Sequence, residues 1–379
     1  MKKVALLLLL AVLVSVFCGC SSVIKNVRPD EAPAEKRVRF GLYVDAGASG
    51  NGVLHLASLI AHSPQAELQL LMADDIRNGK LKDIDVLVMP GGSSQKQCRT
   101  IGLEHLDKVR DFLNNGGGYV GTCAGMFDVL EHLMQLLPFA RNVREDGSTA
   151  YVTVDISKEG AEILGISPGE RVARYSGGPI VTKLKNSKSK GEGISLGEFK
   201  SAVNRYPDNK KKFFNSPALV YGTYGKGKVV ATSFHPEYWE STHDIMLGCF
   251  YAASGVKLTP VFPRKNYRPV RVGLLTTGMA GKEPIETMLK LERDPDIDLD
   301  YVMKTELNQG ILSHLDVLVI PHGNKKVVKK YLPARQLKAF MDRGGVVIAT
   351  EDAQEAVPSH KNSKVLPSGV EINSYILKK

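Results

Sequence analysis

Three side chains of this chain have the types needed for nucleophilic acyl chemistry: Cys123, His235 and Glu237. Cys123 lies in Gly121-Thr122-Cys123-Ala124-Gly125, where flanking glycines allow a tight backbone turn without Cβ clashes. A helix starting just after the cysteine would present free amides that can serve an anion. Taken alone the string is weak, since a cysteine is often only a small buried hydrophobe. The second string is Thr232-Ser233-Phe234-His235-Pro236-Glu237. Residues two apart at a strand end point the same way, so Glu237 can stand behind His235, fix its tautomer and stabilise the imidazolium. A thiol, a proton carrier and an orienting carboxylate together suit acyl transfer.

The elements that must position these groups are read from hydrophobic patterning. Val38–Asp45, Glu67–Met72 and Asp85–Pro90 read as strands, the last an apolar run of the kind buried on both faces of a parallel sheet. Tyr119–Gly121 is another such strand and ends at Cys123, while Val229–Phe234 delivers His235. Helical spacing is expected around Val53–His62, Leu103–Asn114 and Met126–Leu137. Alternation of this kind implies a doubly wound, flavodoxin-like α/β sheet. Between about Tyr151 and Tyr224 the pattern changes to short β segments.

The remainder repeats the beginning. Val38-Arg39-Phe40-Gly41-Leu42 reappears as Val270-Arg271-Val272-Gly273-Leu274, and Asp85 through Gly92 as Asp316 through Gly323. Phe112 through Gly117 reappears as Phe340 through Gly345. Three blocks in one order make an internal duplication. Extending the alignment puts Glu351 opposite Cys123 and His322-Gly323 opposite Gly91-Gly92, with no His-x-Glu to follow. The second copy is expected to be shorter and degenerate. The expected organisation is a signal peptide at 1–20, a tether at 21–37, the first domain at 38–258 and a proline-containing linker at 259–269. The degenerate copy follows at 270–358, then a C-terminal tail at 359–379.

Lys2 and Lys3 precede the apolar run Val4–Phe17 and then Cys18-Gly19-Cys20-Ser21-Ser22. A charged start, a short apolar core and small residues at a cleavage point read as a signal peptide, because a bilayer span takes about 20 apolar residues. The segment resembles a bacterial lipoprotein signal with Cys20 as the lipidated residue, although Phe17 replaces the usual leucine. An ordinary secretory cleavage is the alternative. Export implies a cell-envelope address facing the periplasm, on the outer membrane in a Gram-negative host. Three cysteines then remain, Cys98, Cys123 and Cys249, an odd number that leaves at least one free thiol. A Cys98–Cys249 disulfide stays open, as does an unpaired loop position for Cys98. The net charge of +10 is concentrated in Lys183, Lys185, Lys188 and Lys190 and in Lys210–Lys212. These read as solvated loops, and without interleaved aromatics they give no support for nucleic acid as a partner.

Together the motifs resemble the class I glutamine amidotransferase superfamily, most closely the branch found as the biotin-protein ligase N-terminal domain. The residues that carry this are Met89-Pro90-Gly91-Gly92, Gly116 through Gly125, and Gly225-Lys226-Gly227-Lys228-Val229-Val230-Ala231-Thr232 leading into His235-Pro236-Glu237. The resemblance spans about residues 38–258. It implies Cys123 as nucleophile, His235 as general base and acid, Glu237 as its orienter, and an oxyanion site from backbone amides around Gly91, Gly92 and Ala124. Tyr119, Tyr238 and Trp239 either line a substrate pocket or merely pack, and His243 supplements the site or packs on the next helix. No Walker A loop is present, which points away from ammonia transfer to an ATP-dependent synthase. Biotinylation does not follow from the family name. The expected function is a thiol hydrolase of a small-molecule or peptide carboxamide, needing neither metal nor cofactor, with no protein partner identified. The alternative is a non-catalytic binding module that keeps the pocket.

Overall fold

The apolar runs become strands whose side chains alternate between two cores. The computed structural model describes residues 37–377, apart from 144–148, 204–206, 277–280, 322–329, 331, 333, 351–352, 355–356 and 368–369. The expected signal segment with Cys20, the expected tether up to residue 36, His322, Gly323 and Glu351 therefore lie outside the described residues.

The first sheet is built from β1 (Val38–Tyr43), β2 (Ala66–Leu71), β3 (Val86–Met89), β4 (Gly118–Thr122), β6 (Thr149–Ile156), β7 (Gly169–Ser176), β9 (Glu192–Phe199), β10 (Pro217–Tyr224) and β11 (Gly227–Thr232). A small antiparallel pair, β5 (Phe139–Arg141) with β8 (Val181–Lys183), stands apart. The order in the large sheet is β2-β1-β3-β4-β11-β10-β9-β6-β7. The first five of these run parallel, in the flavodoxin-like sequence in which the chain reverses direction between β1 and β3. The last four add antiparallel strands. Phe40, Val88, Val120 and Val230 point to one core, under the helices Gly50–Ala61 and His243–Ser254, where Phe40 meets Phe250 edge to face at 5.2 Å. Leu87, Met89, Tyr119 and Ala231 point to the other, beside the helices Ser94–Ile101 and Leu106–Asn114.

The second sheet contains β12 (Val270–Leu275), β13 (Ile297–Val302), β14 (Val317–Ile320), β15 (Val346–Thr350) and β16 (Ser363–Leu366). All are parallel, in the order β13-β12-β14-β15-β16. That is the order of the first five strands again. The repeat extends to contacts: Arg39 donates to Asp85, and Arg271 to Asp316, across the same strand pair. A Cβ on Gly117 would fall 2.3 Å from the Phe112 ring, and one on Gly345 would fall 2.4 Å from the Phe340 ring. The helix Gly50–Ala61 packs on the helix Glu283–Arg293, and one apolar core runs through both.

Two expectations are corrected. The tail at 359–379 is not a tail, because it supplies β16 and the helix Asn373–Ile376; the second copy therefore has all five parallel strands. The segment 259–269 forms neither helix nor strand and is held in place: Val261 donates to the His62 carbonyl, Phe262 lies against the His62 ring at 4.7 Å, and Lys265 donates to the carbonyls of Glu292 and Asp294. The helix expected at Met126–Leu137 closes at Asp128. Val129, Leu130, Met134, Leu136 and Leu137 are all fully buried while His132 is exposed, and Gln135 takes a φ of 55°, outside the helical region.

Candidate functional site

The site forms where three parallel strands end side by side: β3 runs into Gly91-Gly92, β4 into Cys123, and β11 into His235. This is the carboxyl edge at which open α/β sheets bind ligands. Cys123 has φ 52° and ψ −98°, a conformation that a residue with a Cβ rarely adopts. Its surroundings hold it there. The Cys123 amide donates to the Thr232 carbonyl at 2.8 Å, tying β4 to β11. Gly125 must be glycine, since a Cβ there would fall 2.2 Å from the Met89 carbonyl oxygen. Tyr119, completely buried, donates its hydroxyl to the Gly125 carbonyl at 2.8 Å. Tyr119 thus braces the turn from behind, and of the two roles considered it packs.

His235 and Glu237 meet as their spacing requires: Nδ1 lies 2.8 Å from Oε1, with Glu237 fully buried. Burial works against a charged ring, but Glu237 and Cys123 outweigh it and raise His235 above the ordinary imidazole range. The other Glu237 oxygen is buried without a hydrogen-bond partner. Gly91 fits between Cys123 and His235, since a Cβ on it would lie 2.7 Å from His235 Cε1 and 3.4 Å from Cys123 Cβ. Gly92 has φ 134° and lies against the Gly47 carbonyl. Among the described residues the amides of Gly92 and Ala124 donate no hydrogen bond inside the protein. The structure thus brings Cys123, His235, Glu237, Gly91, Gly92 and Ala124 together. Among the described residues no cluster of three or more His, Cys, Asp and Glu is placed to share a metal ion.

Several neighbours were not singled out by the sequence. The Ser176 carbonyl, at the end of β7, lies 3.6 Å from Cys123 Sγ. Arg174 accepts from the His235 amide at 2.8 Å through its carbonyl, and its guanidinium lies over the Tyr238 ring, 4.8 Å from the centroid. Gly52 approaches the Glu237 carboxylate, a Cβ there lying 3.2 Å from Oε1. Tyr238 stands edge-on to His235 at 5.3 Å, and Trp239 stacks on Tyr151 at 4.9 Å. The His243 ring bonds the Glu237 carbonyl at 3.1 Å, supporting the loop rather than joining the chemistry. The disulfide left open is excluded, because Cys98 and Cys249 are both free and fully buried. Cys98 is in the helix Ser94–Ile101, not a loop, and donates to Asp128 at 3.4 Å. Burial raises Asp128 well above the carboxylate range, only partly offset by that bond.

Residues 42–129, the segment from β1 through the cysteine turn, match the family described as biotin-protein ligase, N terminal. The biotin–protein ligase of Schizosaccharomyces pombe is 28% identical over 173 residues, covering 40% of this chain and 25% of that protein. The pyridoxal 5'-phosphate synthase subunit PdxT of Nocardia farcinica is 26% identical over 167 residues, covering 42% of this chain and 66% of that subunit. The chain therefore spans a quarter of the first relative and just under two thirds of the second. Among solved structures, PurLQS from Thermotoga maritima covers 56% of this chain and 98% of its own at 15% identity, with a TM-score of 0.42. The segment from β1 through the cysteine turn is thus similar to the N-terminal region of biotin-protein ligases.

Proposed function

We propose that the chain is an envelope-anchored thiol hydrolase of a carboxamide or related acyl substrate, held to the membrane through a lipid on Cys20. The observation that carries this is the strained Cys123 turn set against Gly91 and His235, with Glu237 at 2.8 Å behind the imidazole. In the first half-reaction Cys123 Sγ attacks the carbonyl carbon with its proton held on His235, and the amides of Gly92 and Ala124 receive the oxyanion. The C–N bond then breaks, and His235 passes the proton to the departing nitrogen. A thioester remains. Water attacks it with His235 as base, the C–S bond breaks, and the acid leaves as the thiol regains its proton. Glu237 holds the ring throughout and offsets its positive charge.

A second reading, a binding module without turnover, draws on the closeness of the site. Cys123 and His235 are 5% and 4% exposed, and the Ser176 carbonyl stands over the thiol. Iodoacetamide labelling of the full chain, followed by mass spectrometry, separates the two. The hydrolase reading expects Cys123 to label at neutral pH faster than free cysteine, with His235→Ala slowing it by roughly 100-fold, in line with general-base assistance. Labelling no faster than free cysteine, and unchanged in the variant, would leave the binding module.

A further inference from the structure

Two successive carbonyls in the loop after β3 are held from behind, and the two amides that share their peptides are left free. Gln97, in the helix Ser94–Ile101, is completely buried. Its side-chain amide donates to the Pro90 carbonyl at 3.0 Å and to the Gly47 carbonyl at 3.3 Å. The next carbonyl, that of Gly91, accepts from the Ser49 amide at 2.7 Å. Among the described residues the amides of Gly91 and Gly92 donate no hydrogen bond inside the protein. The two observations belong together, because a trans peptide is planar and its C=O and N–H point opposite ways. A donor behind each carbonyl turns the amide of the same peptide forward.

Gln97 makes these contacts against its own interest. A carbonyl can only accept, so the NH2 end of the side chain must face Pro90 and Gly47, and Oε1 is left buried without a partner. An orphaned buried acceptor costs about 1–3 kcal/mol, which an apolar methionine of similar shape would avoid. The same helix is tied to the other side of the oxyanion site. Cys98, the next residue, donates to Asp128 at 3.4 Å, in the helix that begins with Ala124. One helix thus grips the Gly91-Gly92 loop with one side chain and the turn after Cys123 with the following one.

We propose that Gln97 is a positioning residue for acyl transfer. By holding the Pro90 carbonyl it fixes the Pro90–Gly91 peptide, and with it the turn that aims the Gly91 and Gly92 amides at the oxygen that becomes negative when Cys123 attacks. It acts through the loop alone and touches no reacting atom. Among the described residues Gln97 alone donates to the Pro90 carbonyl, so without it that peptide can turn over and lose a donor to the oxyanion. The proposal rests on the acylation of Cys123 set out above.

The test compares two reagents on Cys123 of the full chain, both read by mass spectrometry. With p-nitrophenyl acetate the S–C bond forms, the ester C–O bond breaks and nitrophenolate leaves, and a negative oxygen develops on the way. Iodoacetamide loses iodide from a saturated carbon and develops none. Gln97→Met should slow acetylation by about 100-fold, the size of one lost oxyanion donor, and leave alkylation within about twofold of the parent. Should that variant not fold, Gln97→Asn is read the same way, its amide one methylene short of the Pro90 carbonyl. A ratio of the two rates equal to the parent's, whether both fall or neither does, would overturn the proposal. A parent that alkylates but acetylates no faster than free cysteine would sink the hydrolase reading instead. The positioning role is then judged on the crystal structure of Gln97→Met, where a turned Pro90–Gly91 peptide supports it and a Pro90 carbonyl still facing residue 97 overturns it.

Discussion

The two halves of this chain carry one strand order and two different edges. In both, a strand pair is clipped by an arginine on the first strand and an aspartate before the third, Arg39 with Asp85 and Arg271 with Asp316. In both, a glycine before the fourth strand lies under a phenylalanine ring. At the carboxyl edge they part. The first copy places Gly91, Cys123 and His235 at the ends of its third, fourth and fifth strands. In the aligned sequence the second copy has His322 for Gly91 and Glu351 for Cys123, and Pro367 follows β16. The scaffold was thus kept while the residues at the edge were not, as expected where packing maintains the strand order.

The sharpest way to break the comparison is to give the first copy a side chain where the second has one. Gly91→Ala puts a methyl 2.7 Å from His235 Cε1 and 3.4 Å from Cys123 Cβ, so the iodoacetamide rate at Cys123 should fall by about 100-fold, the kind of loss a displacement of about 1 Å causes. Unfolding followed by circular dichroism should change little. A variant that labels at the parent rate would show that Gly91 does not set the geometry.

Packing equivalence predicts matched losses of stability. Gly117→Ala and Gly345→Ala both drive a Cβ into a phenylalanine ring, at about 1–3 kcal/mol each for overpacking. Urea melts of the two variants should give similar losses. A large loss in one and none in the other would mean that the copies share an outline but not a core.

The smallest effect is one of titration, and it belongs to the first copy alone. His235 is raised in the folded chain above its unfolded value. A raised histidine stabilises most fully below the unfolded imidazole value, and that contribution fades as pH climbs through the folded one. The stability gap between the parent chain and His235→Asn should therefore narrow from pH 6 toward alkaline pH. A gap that is constant, or widens, would contradict a charged His235 paired with Glu237.

Much of this was legible in the sequence, because it is local. β3, β4 and β11 are apolar runs that end at chemically distinctive residues, and the duplicated blocks give the second sheet by analogy. What was not legible depends on distant pairing. β16 is four residues with a single buried side chain, Leu366, too short to show any period. The position of Ser176 over the thiol requires β7 to pair with β6, and β6 with β9, a register that no single segment encodes. Arg174 resembles any other strand residue until its carbonyl is found on the His235 amide.

β4 ends at Thr122, yet its parallel neighbour β11 begins only at Gly227, whereas β15 ends at Thr350 and β16 begins at Ser363. During synthesis the strand that ends at Cys123 emerges well before the strand that will flank it, and its open side must be shielded or left waiting. The second copy closes its sheet within a short stretch of chain. Contacts far apart in sequence form slowly and leave strand edges exposed. The half that carries Cys123, His235 and Glu237 is thus the half more prone to misassociate while it is being made, and its partner copy is the faster to form.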